Sequence, residues 1–332
     1  MDAARYVLTN GNGPATVSTL AEAEAFAKVG ITDIIYAVGI TASKLDRVIA
    51  LHRSGCNLIV LLDNVEQAQA VASASRSSRI AIPALIEIDC DGHRSGLTFD
   101  DPALVDVGRI LTQGGAALRG VLCHAGGSYG AVGVVAHAKC AEQERLAVVN
   151  AAEALRGAGL QCPVVSVGST PTAHAAQDLT GVTEMRAGVY VFFDLVMAGI
   201  EVCCIDDIAL SVLTTVIGHQ STRGWIICDA GWMAMSRDRG TAAQDVDQGY
   251  GIVCDSAGVP IPGLIMVQAN QEHGVIARRP GFKGAVPALP VSTQLRILPN
   301  HACATAAQHS GYHVIPETPE ATLMNWPRFG GW

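Results

Sequence analysis

The chain has 332 residues, 49% hydrophobic and 16% charged, with a net charge of −8. That is enough apolar material for one large α/β domain or for two domains. The acidic balance, with a pI near 5.6 and no run of like charge, argues against a binder of nucleic-acid backbones.

Seven short apolar or β-branched runs predict strands at 15–19, 33–38, 57–63, 82–89, 118–125, 163–169 and 185–192. Ala-rich amphipathic stretches at 20–30, 43–55, 64–75 and 141–159 predict helices between them. Three of these stretches end in Gly30, Gly55 and Gly159, the expected residue just past a helix C-terminus. Strands alternating with helices imply βα units and a parallel sheet. No GxGxxG follows a strand, so a (β/α)8-type barrel is the better expectation than a dinucleotide fold. A closed barrel needs eight strands and seven are found, so the first strand is expected upstream of Met1. After residue 205 the pattern changes. Runs such as "GWIICDAG" and "GLIMVQANQEHGVIAR" break at Gly and Pro with little helix between them, which predicts a mostly antiparallel β domain. The expected division is a barrel over 1–200, incomplete at its N-terminus, and a β domain over 201–332.

No apolar run reaches transmembrane length, and the N-terminus lacks the basic head and apolar core of a signal peptide. The ten cysteines form no CxxC pair and read as small hydrophobes of a reducing, cytoplasmic protein. Cys303 is the exception. In "LPNHACATAAQH" (298–309) it follows His301 by two positions, after a predicted strand at 292–298. An extended continuation would put both side chains on one face, as half of a zinc-type site. A His at a turn and a Cys in the core is the plainer alternative, because a structural zinc site wants four ligands.

In a parallel barrel the chemistry sits at strand C-termini. "SVGSTPT" (166–172) offers Gly168, Ser169 and Thr170, whose small side chains and hydroxyls suit a phosphate; an ordinary turn is the alternative. "EMRAGVYVFFD" (184–194) offers Arg186, Gly188 and Tyr190 in a run that is otherwise core, with a packing Gly beside a buried Tyr as the alternative. "IEIDCDGHRSG" (86–96) and "CHAGGSY" (123–129) present Asp89, His93, Arg94, His124 and Tyr129 at neighbouring strand ends, which suggests a pocket.

These segments, followed in order by "DAGWMAMSRDRG", "NQEHG" and "LPNHACAT", resemble the D-serine dehydratase/D-threonine aldolase family of pyridoxal-phosphate (PLP) enzymes with the alanine-racemase fold. The resemblance spans nearly the whole chain. It implies a PLP barrel, a C-terminal β domain and a cytoplasmic homodimer acting on a small molecule, with no nucleic-acid or membrane partner. It assigns cofactor contacts to Arg94, His124, Tyr129, Gly168, Ser169, Thr170, Gly188, Val189 and Tyr190. It makes His301 and Cys303 ligands of a divalent metal, zinc or manganese, beside the cofactor. A second carboxylate on the substrate needs a cationic partner, for which Arg237 and Arg239 are candidates, as is Arg94; His273 is a further substrate candidate. The implied reaction is dehydration of a D-3-hydroxy amino acid, with 3-hydroxy-D-aspartate as the expected substrate. Aldol cleavage is the alternative, and a non-catalytic, truncated relative is another. Relatives with a carboxylate in place of the Cys are aldolases, so Cys303 leans toward dehydration. The family's PLP lysine lies in an Arg-Pro-His-x-Lys-type segment that this chain does not contain. Lys28, Lys44, Lys139 and Lys283 are its lysines, and none ends a predicted strand.

Overall fold

The alternating strand and helix patterns fold as a parallel sheet, and the Gly- and Pro-broken runs as an antiparallel barrel, in the computed structural model of the chain. The structure describes residues 2–316 and 322–331. Unit 1 takes Met1–Ser128, Val135–Gly188 and Tyr312–Trp332; unit 2 takes Tyr129–Val134 and Val189–Gly311.

Unit 1 runs α1 (Asp2–Val7), β1 (Ala15–Val17), α2 (Leu20–Ala27), β2 (Asp33–Gly39), α3 (Leu45–Arg53), β3 (Asn57–Leu62), α4 (Val65–Ser78), β4 (Pro83–Ile88), α5 (Ala103–Gln113), β5 (Ala117–Cys123), α6 (Val134–Gly157), β6 (Val164–Val167), α7 (Thr170–Ala175) and β7 (Glu184–Met185). Among the described residues the seven strands lie side by side in sequence order, as expected, and each pairs in parallel with the next. Local signals set the helix ends. Thr19 and Glu22 form a reciprocal capping box on α2, and Asn64 caps α4 through the Gln67 amide. Gly30, Gly55 and Gly159 take positive φ after their helices, which a residue with a Cβ resists. The sequence reading passed over α5, although Leu104, Val107 and Leu111 recur there at helical spacing.

The strand runs are apolar throughout because both faces are covered. Ile34, Leu58, Val60 and Ile86 pack with Leu20, Val48, Val71 and Leu104 of the helices. Alternate residues Ile35, Ile59, Leu61, Leu85 and Leu122 form a second cluster made of strand residues. Full burial of each such side chain is worth ~1.5–3 kcal/mol before chain entropy is counted.

The seventh predicted strand is much shorter than its composition suggested. Only Glu184 and Met185 pair with β6. Val189–Val191 is instead a single 3-10 turn, closed by bonds from the Phe192 and Phe193 amides to the Val189 carbonyl. A β-rich run folds locally here because Phe193 adopts φ +51° and Asp194 then caps a helix.

Unit 2 continues with α8 (Leu195–Gly199), β8 (Val212–Gln220), β9 (Trp225–Cys228), α9 (Trp232–Met235), β10 (Ile252–Cys254), β11 (Pro260–Ala269), β12 (Gly274–Arg278), β13 (Gln294–Leu298) and α10 (Ala302–Ala306). Its six strands close into an antiparallel barrel in the order β10-β11-β12-β9-β8-β13. Val216, Cys228, Val253, Met266, Ile276 and Ile297 fill the interior.

The division between units differs from the single boundary expected near 200. It falls after Gly188, and the two-stranded sheet of β14 (Gly311–Val314) and β15 (Met324–Pro327) belongs almost wholly to unit 1. Aromatic contacts explain this placement. Trp326 stacks on Tyr6 at 5.4 Å, and Phe329 meets Phe26 edge-on at 5.8 Å. Among the described residues no helix is long and apolar enough to cross a membrane.

Candidate active site

In unit 1 the loops that follow β4, β5 and β6 are stitched together by polar side chains. Asp89, expected to line a pocket, is spent on its own loop, where Oδ1 accepts from the Asp91 and Gly92 amides at 3.0 and 2.7 Å. Asp91 Oδ2 accepts from the Gly127 amide at 2.7 Å, which joins this loop to the one after β5. His93 packs so closely over Gly126 that a Cβ there would collide with its ring. Arg94 is about half exposed, with its guanidinium 3.7 Å from buried Glu87. His124 donates Nδ1–H to the Gly168 carbonyl at 2.7 Å. Burial lowers its pKa, which favours a neutral ring with Nε2 as an acceptor.

The loop "GST" after β6 is built for close approach. Gly168 has φ +151°, and a Cβ there would collide with the Arg186 carbonyl. The Ser169 hydroxyl caps α7 through the Thr172 amide and also bonds Ser128 Oγ at 2.8 Å. Thr170 differs: it is buried, and its Oγ1 is a polar atom without a hydrogen-bond partner among the described residues. A Cβ built on Gly188 would meet nothing within 4 Å. A phosphate oxygen near Thr170 would satisfy the orphaned hydroxyl, so this loop fits the phosphate that the sequence assigned to it.

Two groups hold this rim: Glu144, which the sequence did not mark, and Arg186, which it did. Glu144 of α6 is 1% exposed. Its Oε1 accepts from the Ala125 and Gly168 amides at 3.1 and 2.9 Å, and its Oε2 from the Thr172 hydroxyl at 2.8 Å. Burial raises its pKa against the pull of those donors. Arg186 donates to Ser166 Oγ at 2.8 Å and to the Cys123 carbonyl, tying β7 to β6 and β5.

None of the lysines stands at the end of a strand. Lys28 caps the end of α2, Lys139 lies within α6 and Lys283 is in a loop beyond β12. Lys44 ends a 3-10 turn before α3, and its ammonium donates to Tyr36 Oη at 2.7 Å.

In unit 2 the His–Cys pair meets, but not by the expected geometry. Residue 301 does not continue β13. His301 is the N-cap residue of α10, and Cys303 lies in that helix's first turn. Buried neighbours force the chain to turn there. Asn300 Nδ2 donates to the Gly249 carbonyl at 2.7 Å, and its Oδ1 accepts from Thr241 at 3.2 Å. Asp194, at the N-cap of α8, accepts from the Met197 amide at 3.0 Å and from the Ala302 amide at 2.9 Å. A distant carboxylate thus supplies the cap of α10, and the His301 side chain is free of that duty. Its Nδ1 instead meets Asp238 Oδ2 at 2.5 Å. Contact with Cys303, joined by Asp238, holds the imidazole pKa up at about 9 against the burial that lowers it.

His301 and Cys303 offer one borderline and one soft donor, the chemistry of a zinc-type ion. No group of three or more His, Cys, Asp or Glu side chains is arranged to hold a metal among the described residues. Further ligands would therefore be water and substrate, as at an open catalytic site. Cys303 and Cys204 are the exposed members of the ten free cysteines.

The substrate candidates separate clearly. Arg239 is held by Asp247 at 2.7 Å and lies over Tyr250. Arg237 is exposed and stacks on Trp232 at 5.0 Å, with no ion pair among the described residues. His273 is exposed at the turn between β11 and β12. Of the expected cofactor contacts, Arg94, His124, Gly168, Ser169, Thr170 and Gly188 belong to unit 1; Tyr129, Val189 and Tyr190 belong to unit 2.

Comparison with known proteins agrees with this fold. Residues 1–196 match the alanine racemase N-terminal domain family, and residues 209–315 match a putative serine dehydratase domain. The chain is 56% identical to the D-threo-3-hydroxyaspartate dehydratase of Delftia sp. over 320 residues, 96% of this chain and 84% of that enzyme. The solved structure of that enzyme superposes with a TM-score of 0.92 over the same shares. Its solved variants include a His-to-Ala change and, two positions on, a Cys-to-Ala change in the metal-free form. An alanine-racemase-like protein of Idiomarina loihiensis is 47% identical, with a TM-score of 0.94 over 100% of this chain and 87% of its own.

Proposed function

Because the chain belongs to the D-serine dehydratase-like family of the alanine-racemase fold, we propose that it is a PLP- and divalent-metal-dependent lyase that removes the 3-hydroxyl of D-threo-3-hydroxyaspartate. The observation that carries the reading is the His301–Cys303 pair, in a chain 56% identical to the dehydratase of that substrate.

When bound, PLP would supply an electron sink for the substrate α-carbon, and a divalent metal held by His301 and Cys303 would supply Lewis acidity toward the 3-hydroxyl. The chain's own groups have simpler tasks in this reading. The Thr170 hydroxyl and the backbone around Gly168 and Gly188 hold the phosphate, supported by the unpartnered Thr170 Oγ1. His124, kept neutral by burial, fixes the Gly168 carbonyl and with it the loop. His301 and Cys303 hold the ion, with zinc or manganese as the metal. Arg237 receives the second carboxylate of the substrate, since Arg239 already has a carboxylate partner. A cytoplasmic homodimer is part of the reading, and the unpaired state of all ten cysteines supports the reducing setting.

The test is product analysis with purified protein that carries the family's Arg-Pro-His-x-Lys-type segment ahead of these 332 residues, with PLP, zinc or manganese, and D-threo-3-hydroxyaspartate; the 332 residues alone should show negligible turnover. Loss of water and hydrolysis of the resulting imine should give oxaloacetate and ammonia in equal amounts, and chelation should abolish both. Glycine and glyoxylate would instead mark an aldolase. Turnover of D-serine equal to or better than that of the hydroxyaspartate would refute the substrate assignment.

A further inference from the structure

The residue just behind the His–Cys pair is neither a donor of that pair nor a neighbour in sequence. Asp238 lies 63 positions before His301, yet its Oδ2 is 2.5 Å from His301 Nδ1. The two nitrogens of an imidazole face away from each other across the ring. A carboxylate at Nδ1 therefore leaves Nε2 as the coordinating atom and cannot itself reach an ion held there.

Asp238 is itself held in place. Its amide donates to Ser236 Oγ at 3.2 Å, and its carbonyl accepts from Asn300 Nδ2 at 3.3 Å. Asn300, the residue before His301, is 3% exposed and also binds Gly249 and Thr241. The residue preceding the imidazole therefore grips the residue that orients it. Ser236, two positions before Asp238, takes φ +70°, a conformation that disfavours a side chain and persists only where the surroundings enforce it. Arg237 and Arg239 point to other tasks: one stacks on Trp232 and the other pairs with Asp247.

The geometry points to Asp238 as the positioning residue of the metal centre: its anionic carboxylate fixes His301 with Nδ1–H inward and presents Nε2 to a divalent cation. This rests on the metal reading proposed above. A carboxylate behind a ligating imidazole fixes the tautomer and raises its basicity, and losing such a partner weakens metal affinity by about 10- to 100-fold.

The experiment is equilibrium titration of the full chain with Zn2+ against a chromophoric chelator, repeated with Co2+ to follow the thiolate-to-cobalt charge-transfer band. Wild type, Asp238→Asn, Asp238→Ala and Cys303→Ala are compared. Wild type should bind one ion with a thiolate band, and Cys303→Ala should lose the band. Asp238→Ala should keep the band but bind about 10- to 100-fold more weakly. Asp238→Asn, which keeps the shape and loses the charge, should weaken binding by about 10-fold; it carries the test if the Ala variant fails to fold. Wild-type affinity in Asp238→Asn would overturn the inference while leaving the metal reading intact. Absence of a bound ion from wild type would overturn both.

Discussion

Glu144→Ala should loosen the loop after β6. The side chain accepts three hydrogen bonds, two from the Ala125 and Gly168 amides and one from the Thr172 hydroxyl. Thr172 has a second partner in Ser169 and stays satisfied without it. The two amides do not, and each buried unsatisfied donor costs ~1–3 kcal/mol. Removing a buried carboxylate also removes its desolvation penalty, the main cause of its raised pKa. The net expectation is a loss of ~2–4 kcal/mol. Glu144→Gln is the sharper comparison. Both amides bond to the same oxygen, Oε1, which Gln retains, and the Thr172 hydroxyl turns to accept from the new amide. That variant should lie within ~1 kcal/mol of wild type. It should also alter the pH profile. A carboxyl whose folded pKa is raised binds its proton more tightly in the folded chain. Stability therefore falls as pH rises from the unfolded value, ~4.3, through the folded one, and is flat outside that window. Gln should abolish that decline. Urea unfolding across pH, with hydrogen exchange at Gly168 and Ala125, measures all of this. Equal destabilisation by Gln and Ala, or a loss below ~1 kcal/mol in the Ala variant, would refute the acceptor argument.

Cys303→Ala should abolish bound metal and most lyase activity while shifting stability by no more than ~0.5 kcal/mol, because the side chain is exposed; metal analysis beside thermal unfolding checks both. Arg237→Met should raise the KM for 3-hydroxyaspartate far more than that for D-serine, whereas Arg239→Met, which breaks the pair with Asp247, should lower stability without changing that ratio. Borohydride reduction in the presence of PLP should leave Lys28, Lys44, Lys139 and Lys283 unmodified by mass spectrometry. A stoichiometric adduct on any of the four, with turnover, would show that the catalytic lysine lies within these residues and refute this expectation.

The parallel sheet was legible because β-branched runs buried on both faces leave an unbroken apolar signature, and because Gly ends the helices between them. The seventh strand misled for the same reason: "GVYVFF" has strand composition, but the backbone closes on itself at Val189. His301 and Cys303 were found by residue type, whereas their geometry depends on Asp194, 108 positions before Ala302, which caps the helix that Cys303 enters. Glu144 lies in a helix beside Glu142 and Arg145, where the residue types predict a solvated face. Only the approach of two loops to that helix makes it a buried anchor. Asp238 was overshadowed by its arginine neighbours, since sequence carries no trace of a contact with residue 301.

The two-stranded sheet that begins at Gly311 bears on how the chain matures on the ribosome. Unit 2 has its last strand and helix once Gly311 has emerged, whereas unit 1 still waits for the segment that brings Trp326 against Tyr6. During synthesis, the surface around Tyr6 and Phe26 stays uncovered until the segment carrying Trp326 and Phe329 has emerged, which leaves apolar area open to misassociation over that interval.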